Sequence, residues 1–256
     1  MKIGLYLDKS IEENAGLYYD KAKKIKKKIE GARKALDEGL LKLKKLEKEQ
    51  KVLEVKEEVV KVKKKWYEKF HWFVSSEGFL VIGGRDATSN EIVVKKHTDS
   101  NDLVLHTDMA GSPFFVIKSD GKEIGKDTIK EAADATVSFS RAWKLGLMTT
   151  SVFYVTPEQV SKKAQSGEYM SKGAFMIYGK VNYIDNEMSM AVGMFDGAIM
   201  AGPVSAVKKN CSKIVVVIQG KDKTSSVAKK IRYLVGGELD DIIRALPAGG
   251  VEVKSG

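Results

Sequence analysis

The sequence predicts an α+β protein in which a long N-terminal helical arm precedes a mixed, largely antiparallel α+β domain with C-terminal helices. Apolar residues recur at helical and heptad spacing between residues 18 and 46, and again between 52 and 73. From Phe73 onwards the pattern changes to short β-rich runs separated by polar and Gly-containing turns. We therefore expect a lead-in and coiled-coil arm in residues 1–72 and an α+β domain in residues 73–256.

The arm is predicted to start with an extended lead-in over Ile3–Ser10, with Ser10 or Asn14 capping the helix that follows. A second apolar series predicts another helix over residues 52–72, which requires a turn near Glu47–Lys51. No Gly or Pro marks that turn, so one uninterrupted helix that self-associates is the competing arrangement. The seam of the first helix comprises Tyr18, Ala22, Ile25, Ile29, Ala32, Leu36, Leu43 and Leu46.

The α+β domain is predicted to hold nine strands, because nine short apolar runs are bounded by turn residues. Asp196-Gly197, between two of these runs, is a hairpin signal. The predicted strands are Val74–Ser75, Phe79–Ile82, Leu103–His106, Phe114–Lys118, Ser151–Val155, Ala174–Tyr178, Met188–Phe195, Ala198–Ala201 and Lys213–Gln219.

Helices are predicted in the middle and at the end of this domain. One begins at Thr128, where Glu131 stands at a capping-box spacing, and runs through Trp143. Two more, Thr224–Val235 and Glu238–Leu246, form a C-terminal extension of about residues 221–248 and are separated by two glycines.

The composition is that of a globular protein, with 256 residues and 43% hydrophobic content. The single cysteine, Cys211, excludes a disulfide framework or a CxxC zinc site and indicates a reducing compartment. No run reaches the roughly 20 apolar residues of a membrane span, and the N-terminus lacks the apolar core of a signal peptide. We expect a cytoplasmic protein with no membrane association, no cofactor and no metal.

The positive charge is concentrated in the arm. Of the formal net charge of +10, residues 1–72 contribute +8, from 21 Lys and Arg against 13 Asp and Glu. A basic excess on one element suggests a polyanionic partner, and RNA is the first candidate for a cytoplasmic protein. A solvated, lysine-rich helix is the alternative. The basic face of the arm comprises Lys23, Lys24, Lys27, Lys28, Arg33 and Lys34.

The stretch FLVIGGRDATSNEIVVKK, residues 79–96, is predicted to form a strand, a sharp turn and a helix. Gly83 and Gly84 allow positive φ and close approach of a partner, and Asp86 can cap the first free amides. A helix N-terminus beside Arg85 suits an anion such as phosphate. An ordinary strand-to-helix turn is the alternative, because the spacing of a dinucleotide or Walker loop is missing.

This stretch belongs to a longer run, WYEKFHWFVSSEGFLVIGGRDATSNEIVVKK (Trp66–Lys96), that resembles the opening of the RNA-binding NFACT-R domain of the NFACT family. The resemblance continues in the family's order through three further segments. They are HTDMAGS (His106–Ser112), EAADATVSFSRAW (Glu131–Trp143) and QVSKKAQSGEYMSKGAFMIYGKVNY (Gln159–Tyr183).

The resemblance implies a factor of ribosome-associated quality control that binds the large ribosomal subunit and tRNA. It implies a coiled-coil module at residues 11–72 and an NFACT-R domain from residue 73 to about 200. The NFACT-N domain and helix-hairpin-helix segment of the family have no counterpart in this sequence. We therefore do not assign tRNA selection or tailing to it.

His106 and Asp108 form the main polar candidate site, because residues two apart share one face if the strand persists. We expect them to hydrogen-bond within the domain or to contact ribose or phosphate. Two ligands are too few for a metal, and Ser112 lacks the surroundings of a nucleophile elbow, so no catalytic residue is assigned. His71 and His97 are interpreted as surface or packing residues.

A basic loop is predicted around Gly167, with Tyr169 available to stack on a base. A solvated loop is the alternative, and the resemblance favours contact with RNA. Trp143 is predicted to lie in the core. The expected RNA-binding residues of the domain are Arg85, Asp86, Lys95, Lys96, His106, Asp108, Ser112, Ser161, Lys162, Lys163, Tyr169, Lys172 and Lys180.

The predicted function is a non-enzymatic module that binds large-subunit rRNA, tRNA or both. One alternative is an enzyme acting on nucleic acid or nucleotides, with Arg85, Asp86, His106 and Asp108 as an acid–base set. The other is a coiled-coil scaffold that contacts ribosomal or quality-control proteins, or a second copy of itself, through the arm.

Overall fold

The computed structural model describes residues 4–55, 64–163 and 170–254, with the side chains of residues 44–55 excepted. The chain divides into two compact units, Met1–Lys61 and Val62–Gly256. The fold is α+β, and all of its described strand pairs are antiparallel, as predicted.

The first unit is dominated by helix α1, Ile11–Val55. Ser10 caps it as predicted: Glu13 N–H donates to Ser10 Oγ at 3.2 Å, and Ser10 N–H donates to Glu13 Oε2 at 2.8 Å. The predicted turn near Glu47–Lys51 is wrong, because the helix continues through these residues. Several side chains of its predicted seam are solvent-exposed, namely Tyr18, Ile25, Ile29, Leu36 and Leu43.

The lead-in before α1 is bent rather than extended, which corrects the prediction. Asn14 holds it: the side-chain amide accepts from Tyr6 N–H at 2.9 Å and donates to the carbonyl oxygens of Tyr6 at 3.0 Å and Lys9 at 3.2 Å. These bonds satisfy a side chain that is only 4% exposed. The residue predicted as a possible helix cap therefore ties the lead-in to the helix.

The predicted second helix of the arm, residues 52–72, is not a separate helix where it can be described. Residues 52–55 belong to α1, residues 56–63 lie outside the described residues, and residues 66–69 form turns before a strand begins at His71. Trp66, placed in the predicted helical seam, instead stacks on His97 with ring centroids 4.4 Å apart.

The second unit contains a six-stranded antiparallel sheet in the order β1-β2-β4-β3-β5-β8. Its central strands are short and apolar on both faces because helices and loops cover them. The strands are β1 His71–Val74, β2 Leu80–Gly83, β3 Leu103–Thr107, β4 Phe115–Ile117, β5 Val152–Val155 and β8 Asn182–Ile184.

A four-stranded sheet, in the order β10-β9-β11-β12, and a two-stranded ribbon, β6-β7, complete the strands. The predicted hairpin at Asp196-Gly197 is confirmed, since both residues have positive φ, 51° and 81°. The strands are β6 Val160–Ser161, β7 Met176–Ile177, β9 Ala191–Phe195, β10 Ala198–Gly202, β11 Ile214–Asp222 and β12 Val251–Val253.

Six helices accompany these sheets in the described part of this unit. The C-terminal pair is confirmed, with Gly236 and Gly237 between its two members at φ of 89° and 87°. The helices are α2 Ala87–Lys96, α3 Lys126–Ser138, α4 Arg141–Leu145, α5 Val204–Asn210, α6 Thr224–Val235 and α7 Leu239–Ala245.

Helix α3 differs from its prediction at both ends. It begins at Lys126, and the predicted capping box is wrong because Glu131 is buried and accepts from Ser76 N–H at 2.8 Å. At its other end α3 stops at Ser138 and a separate helix, α4, begins at Arg141. Ser140 caps α4, since its Oγ accepts from Ala142 N–H at 3.1 Å. In α4, Arg141 is exposed to solvent, and Trp143 is buried in the core as predicted.

One apolar core joins the two larger sheets. Its fully buried members include Phe73, Ile82, Phe115 and Ile231, and burying each side chain contributes about 1.5–3 kcal/mol. A buried cation, Lys118, is bonded to Asp102 and, at 2.6 Å, to Asp99. None of the described helices is both long and apolar enough to cross a bilayer.

Candidate functional site

A cleft of about 890 Å³ lies within the second unit. Most of its lining comes from five segments that are distant in sequence. They are the β2–α2 turn, the loop before β4, the α3–α4 junction, the segment 171–175 and the C-terminal stretch from Ile243 to Ala248. The volume falls within the roughly 300–1,000 Å³ of ligand sites.

The β2–α2 turn forms the first wall, and its glycines are there for close packing. A Cβ on Gly83 would lie 2.5 Å from the Phe115 ring, and one on Gly84 would lie 1.9 Å from Asn90 Oδ1. Positive φ, the other predicted reason, occurs at neither glycine. The partners that approach this turn closely are therefore side chains of the protein itself.

Asp86 caps α2 as predicted, by accepting from Ser89 N–H at 2.7 Å, and this bond is the main cause of its lowered pKa. Ser89 Oγ in turn accepts from the N–H groups of Arg85 and Asp86, each at 2.8 Å. The protein's own carboxylate thus occupies the helix terminus at which we predicted an external anion. The Arg85 side chain remains as the cationic group of this turn.

Arg85 is a half-buried cation with unmet hydrogen-bonding capacity. Its Nε is buried without a partner among the described residues, and its Nη2 makes one long bond of 3.5 Å to the Glu68 carbonyl. Burial, and then the nearby charge of Arg244, lower its pKa. The carboxylates of Asp241 and Asp86 act on this pKa in the opposite direction, so Arg85 lies among side chains of both charges.

His71, interpreted as a surface or packing residue, packs in the domain and also borders the same cleft. Its ring stacks on Phe139 with centroids 4.0 Å apart, and its Nδ1 is buried with no partner in the described chain. Burial and, secondarily, the charge of Arg85 lower its pKa to about 3. The imidazole is therefore neutral at physiological pH.

The loop of the HTDMAGS motif supplies another wall, and its polar groups are largely engaged internally. His106 Nε2 lies 3.2 Å from the Ser112 carbonyl oxygen, and the ring stacks on Phe114 at 4.1 Å. Ser112 is buried, and its hydroxyl bonds with Thr107 Oγ1 and the Met109 carbonyl. Burial is the main cause of the lowered pKa of His106. Both predicted residues line the cleft, with little hydrogen-bonding capacity left for a ligand.

The segment 171–175 is held against α2 by an ion pair and a hydrogen bond that Glu91 forms. Its carboxylate pairs with Lys162 Nζ at 2.7 Å and accepts from Gly173 N–H at 3.2 Å, which lowers the pKa of Glu91 to about 2. Lys162 also donates to the carbonyls of Ser171 and Ala174. The structure thus uses Lys162, a predicted RNA contact, to fix the cleft wall.

Four of the residues that line the cleft are exposed cations, and we call them the rim cations. No salt bridge or hydrogen bond engages their side chains within residues 4–55, 64–163 and 170–254. Only Lys172 was predicted as a site residue; the others were missed because they come from other elements. The rim cations are Arg141, Lys144, Lys172 and Arg244.

The other predicted contacts that the structure describes are not part of the cleft lining. Asp108 is exposed and accepts from Tyr183 Oη at 3.2 Å, and Lys95 pairs with Glu91 at 3.4 Å. Lys96, Lys163 and Lys180 are exposed, Ser161 is in strand β6, and Tyr169 lies outside the described residues.

The acid–base set of the enzyme hypothesis is only partly brought together. Arg85, Asp86 and His106 line the cleft, but Asp108 does not. The Asp86 carboxylate accepts a hydrogen bond from the N-terminus of α2, and His106 Nε2 bonds with the Ser112 carbonyl of its own loop. In the described ranges, no group of three or more His, Cys, Asp or Glu side chains is placed to hold a metal ion.

The arm is a second cationic surface. Its predicted basic residues are all solvent-exposed on α1, and none forms an ion pair with another described residue. They are Lys23, Lys24, Lys27, Lys28, Arg33 and Lys34.

Comparison with known proteins identifies the family. A family model described as "NFACT protein RNA binding domain" matches residues 69–179. This range includes the β2–α2 turn, the HTDMAGS loop and the segment 171–175. A protein of Methanocaldococcus jannaschii named "Archaeal Rqc2 homolog aRqcH" is 43% identical over 202 residues, 76% of this chain and 30% of that protein. The chain belongs to the NFACT family.

Eukaryotic members of the NFACT family are also similar. "Ribosome quality control complex subunit NEMF homolog" of Drosophila melanogaster is 41% identical over 177 residues, 67% of this chain and 17% of the relative. The human "Ribosome quality control complex subunit NEMF" is 41% identical over 176 residues, 67% of this chain and 16% of the relative. The chain therefore spans less than a third of the length of these NFACT relatives.

Proposed function

We propose that this chain is an RNA-binding part of a ribosome quality-control protein, and that it holds the sugar–phosphate backbone of large-subunit rRNA or tRNA. One observation carries the proposal. Four exposed cations surround a cleft of about 890 Å³ without a salt bridge among the described residues.

The contrast with other cations of the same unit supports this function. Lys64, Lys65, Lys118, Lys130 and Lys162 each have a carboxylate partner at 2.8 Å or less. The rim cations have none in the described chain, so their charge is available to an anionic ligand. RNA phosphates are such a ligand, and phosphate contacts position a nucleic acid without reading its sequence.

The arm supports the same function by a different route. Its exposed lysines present a row of charge along a helix, and such a row attracts a polyanion at a distance set by ionic strength. The names of the relatives, which refer to ribosome quality control, make ribosomal RNA and tRNA the first partners to test.

Removal of the rim charge tests the proposal. We expect the fourfold variant Arg141→Gln, Lys144→Gln, Lys172→Gln and Arg244→Gln to bind tRNA and large-subunit rRNA fragments at least about tenfold more weakly. The slope of log affinity against log salt should fall by about 0.7–0.9 for each phosphate that the variant no longer neutralises. Fluorescence anisotropy over a salt series measures both quantities.

A matched variant removes the same charge elsewhere on the unit. The control replaces four lysines that are exposed and have no salt bridge with a described residue, namely Lys208, Lys209, Lys213 and Lys229. Replacing all four by Gln gives a control variant with the same net charge as the test variant. Equal decreases in affinity in the two variants would show that the cleft has no special part in binding. Unchanged affinity in both would overturn the proposal.

A further inference from the structure

The interior of the cleft differs chemically from its rim. Five aromatic rings border it, those of His71, His106, Phe114, Phe139 and Phe175, and two of the contacts among them are face-to-face stacks. A surface that only held phosphates would need charge and no apolar interior. Aromatic walls behind a cationic rim are the arrangement that receives a base together with its phosphate.

Two side chains that border this interior each carry a buried nitrogen without a hydrogen-bond partner among the described residues. Arg85 Nε is a fixed donor, and His71 Nδ1 donates or accepts according to its tautomer. Buried polar nitrogens normally have a protein or water partner, so these two retain capacity for a further hydrogen bond. A second cavity of about 20 Å³ also borders both residues, but it has room for one water only. The side chains of both residues also border the larger cleft.

The cleft volume of about 890 Å³ is large enough for one nucleotide. A paired base has its hydrogen-bonding edge occupied and its faces stacked, so only a base outside a helix can enter such a cavity. The neutral His71 ring can meet an uncharged base edge, while the positive charge of Arg85 and the rim suits the phosphate.

We propose that the interior of the cleft is a subsite for one unpaired nucleotide of RNA, whose base lies against the aromatic rings and whose phosphate meets Arg85 and the rim cations. This inference rests on the proposed function and narrows it to RNA with an unstacked base, such as a bulge, a loop or a free end.

Two hairpin RNAs test the subsite: a fully paired stem, and the same stem with one added unpaired adenosine. We expect the wild-type protein to bind the second RNA at least about fivefold more tightly, the lower end of what stacking on aromatic side chains provides. AMP, titrated alone and as a competitor, tests whether a free nucleotide is the true ligand.

Variants that fill the cleft test whether the preference for the unpaired adenosine arises there, and they do not change the charge of the protein. Ala110 and Ala248 are exposed residues that border the cleft from different loops. Ala110→Trp and Ala248→Trp should each abolish the preference for the unpaired adenosine and retain the affinity for the paired stem. Ser212→Trp, at an exposed position outside the cleft, should behave like the wild type. Thermal unfolding checks that all three variants fold.

The outcomes separate the two proposals. Equal wild-type affinity for both hairpins would overturn the subsite and leave RNA binding intact. Binding to neither hairpin at low salt would overturn the proposed function as well. AMP that binds tightly and is not displaced by either RNA would assign the cavity to a free nucleotide and overturn the RNA subsite. A preference that survives both cleft-filling variants would place it elsewhere on the molecule.

Discussion

The arm and the cleft both present cations without salt bridges in the described structure, but they present them differently. On α1 the charges follow a helix whose neighbouring side chains are also exposed. At the cleft the charges border a cavity lined by aromatic rings and by two side chains, His71 and Arg85, whose buried nitrogens have no partner among the described residues. Charge in a row attracts any polyanion, whereas charge around a shaped cavity also selects what enters it.

This difference assigns separate contributions to the two units. The arm should contribute affinity that falls with salt and is indifferent to RNA structure. The cleft should contribute less total affinity but distinguish paired from unpaired RNA. The arm variant and the cleft variant below each change one of these contributions, and a pH test then compares the stability of the two units.

Neutralising the arm is expected to have the largest effect. Replacing its six basic residues by Gln should weaken RNA binding at low salt by on the order of a hundredfold, because up to six phosphates are no longer neutralised. The ratio of affinities for unpaired and paired hairpins should not change. The variant replaces Lys23, Lys24, Lys27, Lys28, Arg33 and Lys34.

The control for the arm keeps its charge. Replacing the five lysines by Arg leaves a helix of equal charge, and its binding should resemble that of the wild type. Circular dichroism checks that α1 remains helical in both variants. An unchanged salt slope in the Gln variant would mean that the arm does not contact phosphates.

A smaller effect is expected from Gly173→Ala, which displaces one wall of the cleft. A Cβ at this position would lie 2.5 Å from Ala87 Cα, so the segment that carries Lys172 must move away from α2. We expect RNA affinity to fall about tenfold, equal to about 1.4 kcal/mol, and the preference for unpaired RNA to decrease. Anisotropy with the two hairpins measures both.

Gly121→Ala is the matched control for this substitution. Gly121 also has positive φ, 77°, but a Cβ there meets no atom within 4 Å. Both variants should therefore lose about 1–2 kcal/mol of unfolding free energy from backbone strain. Only Gly173→Ala should weaken RNA binding. Equal RNA affinities would show that the position of this wall is unimportant.

A third effect is on stability rather than on RNA binding, and it separates the units by pH. The folded-state pKa of His71 is lowered to about 3 by burial, so between pH 6.5 and 3 the unfolded chain binds a proton that the folded chain does not. Stability is therefore fully present above pH 6.5 and decreases as pH falls, by about 2 kcal/mol at pH 5. Residues 1–61 contain no histidine, so α1 should lack this dependence.

Denaturant unfolding at pH 7 and pH 5 measures this decrease. His71→Phe keeps a ring against Phe139 and removes the titration, so its stability should change less between the two pH values. His97→Gln, which removes a partly buried ring, should flatten the pH dependence less. Identical pH dependence in wild type and His71→Phe would contradict the burial of a neutral imidazole.

The sequence allowed good prediction of elements with a clear local signal. The strand–turn–helix at residues 80–96, the Asp86 cap and the Asp196-Gly197 hairpin were all predicted correctly. The strands β6, β8 and β12 were missed because two or three residues are too few to show periodicity. The Thr128 capping box failed because tertiary contacts use Glu131 differently.

The candidate site was predictable only in part, because its cations come from positions far apart in the chain. Nothing local distinguishes Arg244 or Lys144, which border the cleft, from the other basic residues. Lys162 has the same local signal as Lys172, yet Glu91 pairs with one and not with the other. The fold determines which lysines have a carboxylate partner, and this pairing cannot be predicted from the local sequence.

Helices α6 and α7 have a practical consequence for anyone who wishes to excise a minimal domain. They supply Thr224 and Arg244 to the cleft, and α6 packs on β11, which bonds to β9 on one side and to β12 on the other. A fragment limited to residues 69–179 would keep the segments that define the family. It would also lack one of the four rim cations and an entire side of the cavity, so its weak binding would misrepresent the intact chain.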